Sequence, residues 1–340
     1  MLSSHLAVWT GMTAVGRALF PNRGAVILYG HRLAGDNEGY LQGLRPDWLD
    51  AQIAHLTRHY EVIPLNQLLS CYEERRHVPE RSVVITFDDG FRDNLTEGLP
   101  ILRRHGVTAT VFVVTGCVFS GELPWPQRLG VLFQRSELQR FLFQPDTPGA
   151  SPRHFALNST AGRHAAYLAV KEHLKPLGRE QREALLADLQ RKMGVEPPRD
   201  RMLSLGELRE LRAAGWEIGA HTVSHPWLAR IPRAEAREEM ERCREELREH
   251  LGIERPSFCF PAGSCSEELR VLARELGFRS AFQPNHPRRV NTLAGSHPFA
   301  LGRMGLPNAP RVVVEAELDG PFHTLRRLYR RPASRREGNG

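Results

Sequence analysis

Lysine is almost missing from this chain. Only three of its 46 basic residues are lysine, a bias read as genomic base composition rather than as a task. Cysteine is sparse and odd in number. Cys71, Cys117, Cys243, Cys259 and Cys265 show no paired spacing, so no disulfide framework is implied and a reducing compartment is expected. A convincing export signal is also lacking. Leu6 to Phe20 is mildly apolar but broken by Thr10, Gly11, Thr13, Gly16 and Arg17. That argues against a signal peptide or membrane span and leaves a short amphipathic helix, lying on the body or on a membrane. No internal repeat and no low-complexity tract is present.

Charge is uneven. The formal balance is +7, yet Arg326, Arg327, Arg330, Arg331, Arg335 and Arg336 face only Glu337 in the tail, which leaves about +2 for the body. The body is therefore nearly balanced, and no nucleic-acid partner is expected. The tail reads either as a solvated terminus or as a peripheral contact with anionic lipid. The expected location is cytoplasmic, with membrane-peripheral contact through this tail as the variant.

What is present is an ordinary globular composition, 41% hydrophobic and 25% charged, enough to bury a sizeable core. Strand and helix patterns alternate. Gly24 to Tyr29 reads as a strand, Pro46 to Tyr60 and Leu65 to Tyr72 as helices, and Val83 to Phe87 as a buried strand. A helix over Asn94 to His105 ends at Gly106, and a strand covers Thr108 to Val114. After an interruption the alternation resumes. Ser204 and Glu207 form a capping box, Trp216 to Ala220 is a strand, and Arg233 to Leu251 is a charged helix read as a solvated outer face. Pro256 to Phe260 and Ser280 to Phe282 follow as strands around a helix from Glu267 to Leu276, and Val312 to Val314 is offered as a last strand. Six or seven such units imply parallel strands in a barrel. The expected division is an extension over 1–23, a barrel over 24–320 with a helical insertion at 117–201, and a basic tail over 321–340.

The chemistry gathers after the strands. Val83-Val84-Ile85-Thr86-Phe87 delivers two adjacent carboxylates, Asp88 and Asp89, to the strand's C-terminal mouth. Like charges side by side in a cleft ask for a cation or a shared proton. His221-Thr222-Val223-Ser224-His225 follows another short strand, with two imidazoles about one helical turn apart. Two histidines and one carboxylate leave an open metal position for water, and the second carboxylate is free to act as a base on it.

With these motifs in hand, the chain resembles the polysaccharide deacetylases of the NodB-homology type, carbohydrate esterase family four. Thr86-Phe87-Asp88-Asp89-Gly90 matches the family's first motif in full, His221-Thr222-Val223-Ser224-His225 the second, and Phe260-Pro261-Ala262-Gly263 part of the third. The resemblance spans roughly Ala25 to Gly305. It implies a distorted (β/α)7 barrel and a divalent cation, zinc first and cobalt or nickel next. The implied substrate is an N-acetylated glycan or glycolipid, and the implied reaction is hydrolysis of an N-acetyl group by metal-bound water. By the same resemblance Asp88 is the base, Asp89, His221 and His225 are the metal ligands, and the backbone N–H of Ala262 helps hold the oxyanion.

The departures are informative. An arginine two residues before the third-motif proline ordinarily orients the base, and a tyrosine follows that proline; here these positions are Cys259 and Ala262. Arg303 is the candidate substitute. The histidine that protonates the leaving amine has no clean counterpart, so His297 is taken for it, with His286 second. His31, directly after the first strand, is expected to face the mouth. Cys259 and Cys265 read as structural thiols rather than extra ligands, and Trp125 and Trp227 either line a sugar subsite or pack in the core. Two other readings stay open: a non-catalytic, metal-containing glycan-binding relative, and a hydrolase of a non-sugar amide.

Overall fold

The computed structural model describes Thr13 and residues 24–145, 151–284 and 290–319. Leu6 to Phe20 apart from Thr13, the tail from 320 onward and His286 lie outside the described residues.

The chain enters as β1 (Ala25–Gly30), continues through α1 (Pro46–His59), the two-residue β2 (Glu61–Val62) and α2 (Leu65–Glu73), and reaches β3 (Ser82–Phe87). The expected helix after β3 opens with a π turn over Asn94–Gly98 before α3 (Leu99–Arg104). Pro100 explains the change, because it lacks the N–H that a regular α turn needs. β4 (Thr110–Val113) then leads into the interruption.

That interruption is a packed body. It holds α4 (Thr115–Ser120), α5 (Trp125–Arg135), the antiparallel hairpin β5 (Arg140–Phe143) and β6 (Arg153–Ala156), then α6 (Thr160–Leu174) and α7 (Arg179–Met193). Its own core includes Trp125, Leu129, Phe133, Tyr167, Val170, Leu174, Leu186 and Met193. A helical insertion was expected here; the hairpin was not. α5 begins with Trp125-Pro126 behind Pro124, a start that suits helix position N1 but also reads as a turn.

The alternation resumes with α8 (Leu205–Ala213), β7 (Glu217–Ala220), α9 (Arg233–Leu251), β8 (Phe258–Cys259), α10 (Glu267–Glu275), β9 (Ala281–Pro284), β10 (Val290–Asn291), β11 (Leu301–Gly305) and α11 (Arg311–Asp319). Both halves of the capping box at Ser204 and Glu207 form.

Seven parallel strands close on themselves in the order β1–β3–β4–β7–β8–β9–β11–β1. β2 adds to the start of β3, and β10 runs antiparallel beside the start of β1. This is the (β/α)7 barrel of the NodB type. Alternation sets its two faces. Ala25, Ile27, Val84, Phe112, Cys259, Phe282 and Leu301 share the inner cluster, while Val26, Leu28, Val83, Ile85 and Phe87 meet the surrounding helices.

Two expectations need correction. Val312 to Val314 is not a strand but the start of α11; the last barrel strand is β11. β-Branching favours strand only weakly, and burial of Val312 and Val314 decides the conformation instead. α9 is not a wholly solvated face either, since Ala236, Glu239, Met240, Cys243, Leu247 and Leu251 are buried. Among the described residues no helix is long and apolar enough to cross a membrane.

The barrel's close packing makes a sharp prediction. A Cβ at Gly219 on β7 would stand 2.4 Å from Phe112 Cδ1 and 3.1 Å from the Ser257 carbonyl. Gly219→Ala should therefore lower stability by roughly 1–3 kcal/mol through overpacking, read as a reduced urea midpoint with an unchanged slope.

Candidate metal centre and base

Strand register brings Asp88 inward. Val84 is in the inner cluster, and the same alternation carries Thr86 and Asp88 to the barrel axis. Asp89 breaks the alternation by adopting φ 74°. Of the seven described non-glycine residues with positive φ, four stand at this mouth: Asp89, Thr222 at 68°, His225 at 58° and Ala262 at 50°. Each such conformation costs on the order of 1–3 kcal/mol and persists only where its surroundings enforce it.

The enforcement is visible at the histidine turn, which is a sharp bend rather than a turn of helix. Thr222 Oγ1 accepts from His225 N at 3.0 Å. The buried carboxylate of Glu239, from α9, accepts from Val223 N at 3.0 Å, Ser224 N at 2.8 Å and Ser224 Oγ at 2.5 Å. Arg182, from α7, donates to Ser224 Oγ at 2.7 Å. Trp125 Nε1 donates to the His225 carbonyl at 2.8 Å. Neither Glu239 nor Arg182 was foreseen. Glu239 did carry a signal, because it falls on the apolar stripe of α9 beside Ala236, Met240 and Cys243.

Three ligand atoms then converge. His221 Nδ1 lies 2.7 Å from the Cys259 carbonyl; a carbonyl only accepts, so Nδ1 carries a proton and Nε2 faces the centre. His221 Nε2 and His225 Nε2 stand 3.4 and 3.3 Å from Asp89 Oδ1. That oxygen is buried with no hydrogen-bond partner among the described residues. Two ligands at about 2.0–2.1 Å from a tetrahedral cation are about 3.3 Å apart, so the set fits a divalent ion. Burial opposes the charge on Asp89, yet the neighbouring imidazoles hold it well below the usual carboxylate range. Burial lowers His225. It also works against His221, but Cys259, Asp89 and Asp88 outweigh it and hold that ring well above the ordinary imidazole range.

Asp88 has a different partner. Arg303 Nη1 donates to Oδ1 at 2.8 Å and Nη2 to Oδ2 at 2.6 Å, a bidentate pair. Both side chains are buried, at 0% and 4% exposure. Arg303 also donates to Thr86 Oγ1 at 3.2 Å and Cys259 Sγ at 2.9 Å, and lies over the Tyr29 ring at 4.6 Å. The guanidinium thus fills the space beside Cys259, reached from β11 rather than from β8. Burial raises the Asp88 pKa, but Arg303 overrides it and leaves the carboxyl below its ordinary value. A second possible ligand set, Asp88, His221 and Cys259, is closed by this guanidinium.

The other sequence candidates scatter. Ala262 is exposed in the turn Pro261–Gly263 after β8. His31 follows β1, 5.8 Å from the Tyr29 ring, and is an electrostatic neighbour of Asp88, Asp89 and His225. His297 is a correction. It precedes β11, at the end of the barrel opposite the mouth, exposed beside Glu267 and Arg270 of α10. The chain turns at 298–300, where Ala300 N donates to the His297 carbonyl and Ala281 N, at the start of β9, donates to the Pro298 carbonyl, so His297 stays before the start of β11 and away from the mouth. Cys265 is in neither ligand set. Trp125 is core, and Trp227 is half-buried against it at 5.6 Å.

The polysaccharide deacetylase family model matches residues 75–133 and 178–281. Over these stretches, just under half of the chain, the sequence is similar to the polysaccharide deacetylase family. The unmatched interval, 134–177, holds the hairpin and α6. Solved structures share the fold. The Streptococcus pyogenes deacetylase PplD in complex with acetate is 16% identical with a TM-score of 0.56, over 86% of this chain and 97% of its own. IcaB from Ammonifex degensii is 19% identical with a TM-score of 0.55, over 88% and 97%. The de-N-acetylase from Aggregatibacter actinomycetemcomitans is 14% identical with a TM-score of 0.55, over 84% and 95%. At these identities the likeness is one of fold. YxkH of Bacillus subtilis is 46% identical over 35 residues, 10% of this chain and 12% of its own length.

Two predictions follow from the buried contacts. Arg303→Met strands the Asp88 charge, at about 3–5 kcal/mol. The wild-type Asp88 pKa lies below the reference value of 3.8. The pair's contribution is therefore full above about pH 3.8 and lost as pH falls through the lower folded value. Urea denaturation should show a large gap between the two proteins at pH 7 that closes toward pH 3. Glu239→Ala leaves the two turn N–H groups without their acceptor, and should cost about 2–4 kcal/mol. Its readout is loss of hydrogen-exchange protection at Val223 and Ser224.

Proposed function

We propose that this protein is a metal-dependent amidohydrolase that removes the acetyl group from an N-acetylated amino sugar in a glycan or lipid-linked glycan precursor. The observation that carries this reading is the juxtaposition of two differently equipped aspartates. Asp88 is fixed by a guanidinium, and Asp89 lies among two imidazoles with an oxygen left unpartnered. A merely structural carboxylate would not need such a neighbour.

Asp89, His221 and His225 are the residues that would hold the cation. A divalent ion there supplies a Lewis acid for the amide carbonyl and lowers the pKa of water at the site. The chain's residues do the rest. Asp88 stays ionised at neutral pH because Arg303 favours its charged form, and Oδ1, unlike Oδ2, which the Cys259 thiol also approaches, keeps a lone pair beyond the one Arg303 engages. It can therefore accept a proton from the attacking water. Arg303 also prevents rotation of the carboxylate, so the accepting lone pair is aimed before substrate arrives. The backbone N–H of Ala262, at the exposed turn after β8, offers a donor for the developing oxyanion. As the C–N bond breaks, Asp88 passes that proton to the departing nitrogen, which gives the free amine and acetic acid and restores the carboxylate.

Acetate release from N-acetylglucosamine oligomers and from lipid-linked N-acetylated sugars, with added zinc, cobalt or nickel, tests the reading. Asp88→Asn should reduce turnover by about 10²–10⁴-fold while cation binding persists. His221→Ala should lose both. Because His221 holds its proton unusually tightly, cation uptake should release about one proton and weaken as pH falls through that raised value. Calorimetry in buffers of different ionisation enthalpy measures this. Tight cation binding with no acetate released from any N-acetylated sugar would sink the proposal.

A further inference from the structure

Of the chain's three lysines, Lys171 and Lys175 stand one helical turn apart where α6 ends. Both reach the same indole. Lys175 Nζ lies 4.0 Å from the Trp227 ring centre, and Lys171 Nζ lies 5.6 Å from it and 5.1 Å from that of Tyr167. Tyr167 in turn meets Tyr40 at 4.6 Å. Three separate segments converge here: Tyr40 from the loop after β1, the insertion helix α6, and Trp227 two residues beyond His225. The first and last leave the barrel at its C-terminal mouth. Trp227 also touches Trp125, whose indole N–H holds the His225 carbonyl. The strip therefore runs outward from the candidate centre.

Two ammonium groups gathered on one ring repel each other. Lys175 pairs with Glu172, a largely exposed side chain, whereas Lys171 has no ion pair with a carboxylate among the described residues. Burial, and then the Lys175 charge, lower the Lys171 pKa. At the far end of the strip the Tyr40 hydroxyl is buried with no hydrogen-bond partner among the described residues. An aromatic strip suits sugar faces, and a pair of partly dehydrated ammonium groups suits an anion. In a chain that otherwise uses arginine almost throughout, both lysines fall in the interval 134–177 that the family model leaves unmatched. The two ammonium groups thus come from this protein's insertion rather than from the shared barrel.

We propose that Lys171, Lys175 and Trp227 form a subsite for an anionic group, a carboxylate or a phosphate ester, carried by the glycan beyond its reacting N-acetyl sugar. The inference rests on the glycan reading above and specifies its substrate as acidic.

The test titrates the intact chain by tryptophan fluorescence with three probes. These are neutral chitotetraose, a hyaluronan tetrasaccharide in which N-acetylglucosamine alternates with glucuronate, and N-acetylglucosamine 1-phosphate. Wild type and the double variant Lys171→Gln, Lys175→Gln are compared at low and high salt. At low salt the wild type should bind at least one anionic probe about tenfold more tightly than the neutral one, with the gap narrowing at high salt. The double variant should bind charged and neutral probes alike while keeping its affinity for chitotetraose. Which anionic probe is preferred distinguishes carboxylate from phosphate. Equal wild-type affinity for all three, or a preference that survives in the double variant, overturns the subsite. An anionic preference without acetate release from any of them would overturn the deacetylase reading and leave the subsite standing. Acetate release with no charge preference would do the reverse.

Discussion

The buried pair between Asp88 and Arg303 is the interaction on which the rest of this mouth depends. An ionised carboxylate at 4% exposure cannot persist alone. Two parallel guanidinium bonds compensate it, and the guanidinium is compensated in turn by Thr86, the Cys259 sulfur and the Tyr29 ring. Such a pair adds little net stability against an apolar substitute, but breaking it leaves a stranded charge. What it does provide is position. It ties β3 to β11 across β1, which lies between them in the closed barrel, and it fixes the orientation of one aspartate while its neighbour turns toward the histidines.

The second constraint is conformational. Left-handed backbone at Asp89, Thr222, His225 and Ala262 concentrates strain at one end of the barrel. That strain is held by groups from outside the barrel, chiefly Glu239 of α9 and Arg182 of α7. The insertion is thus structural support for the histidine turn as well as a wall of the mouth. Trp125 makes the same link, packed in the insertion's core while its N–H holds His225. The extra segment that separates this chain from a plain barrel reaches the site by direct hydrogen bonds.

Much of this was legible in the residues. The strand before Asp88, the histidine spacing and the capping box at Ser204 are local patterns, and each formed where the pattern lay. Arg303 could be named as a candidate but not assigned, because nothing local says that a residue on the last barrel strand faces one on the third. His297 failed because no local pattern tied it to a role, and the turn at 298–300 keeps it before the start of β11, away from the mouth. Val312 to Val314 failed because a β-branched triplet carries only a weak preference, which helix packing overrode.

The sequence by itself determined six of the barrel's seven strands and picked out Asp88, Asp89, His221 and His225 as the candidates that follow them, since alternation and spacing are written in consecutive residues. Only the tertiary structure decided what orients and supports them. Arg303 on Asp88, Glu239 and Arg182 on the histidine turn, and Lys171 and Lys175 on Trp227 are contacts between segments far apart in the chain. Their energies depend on burial and direction, which arise when the barrel closes and brings separate strand ends to one mouth.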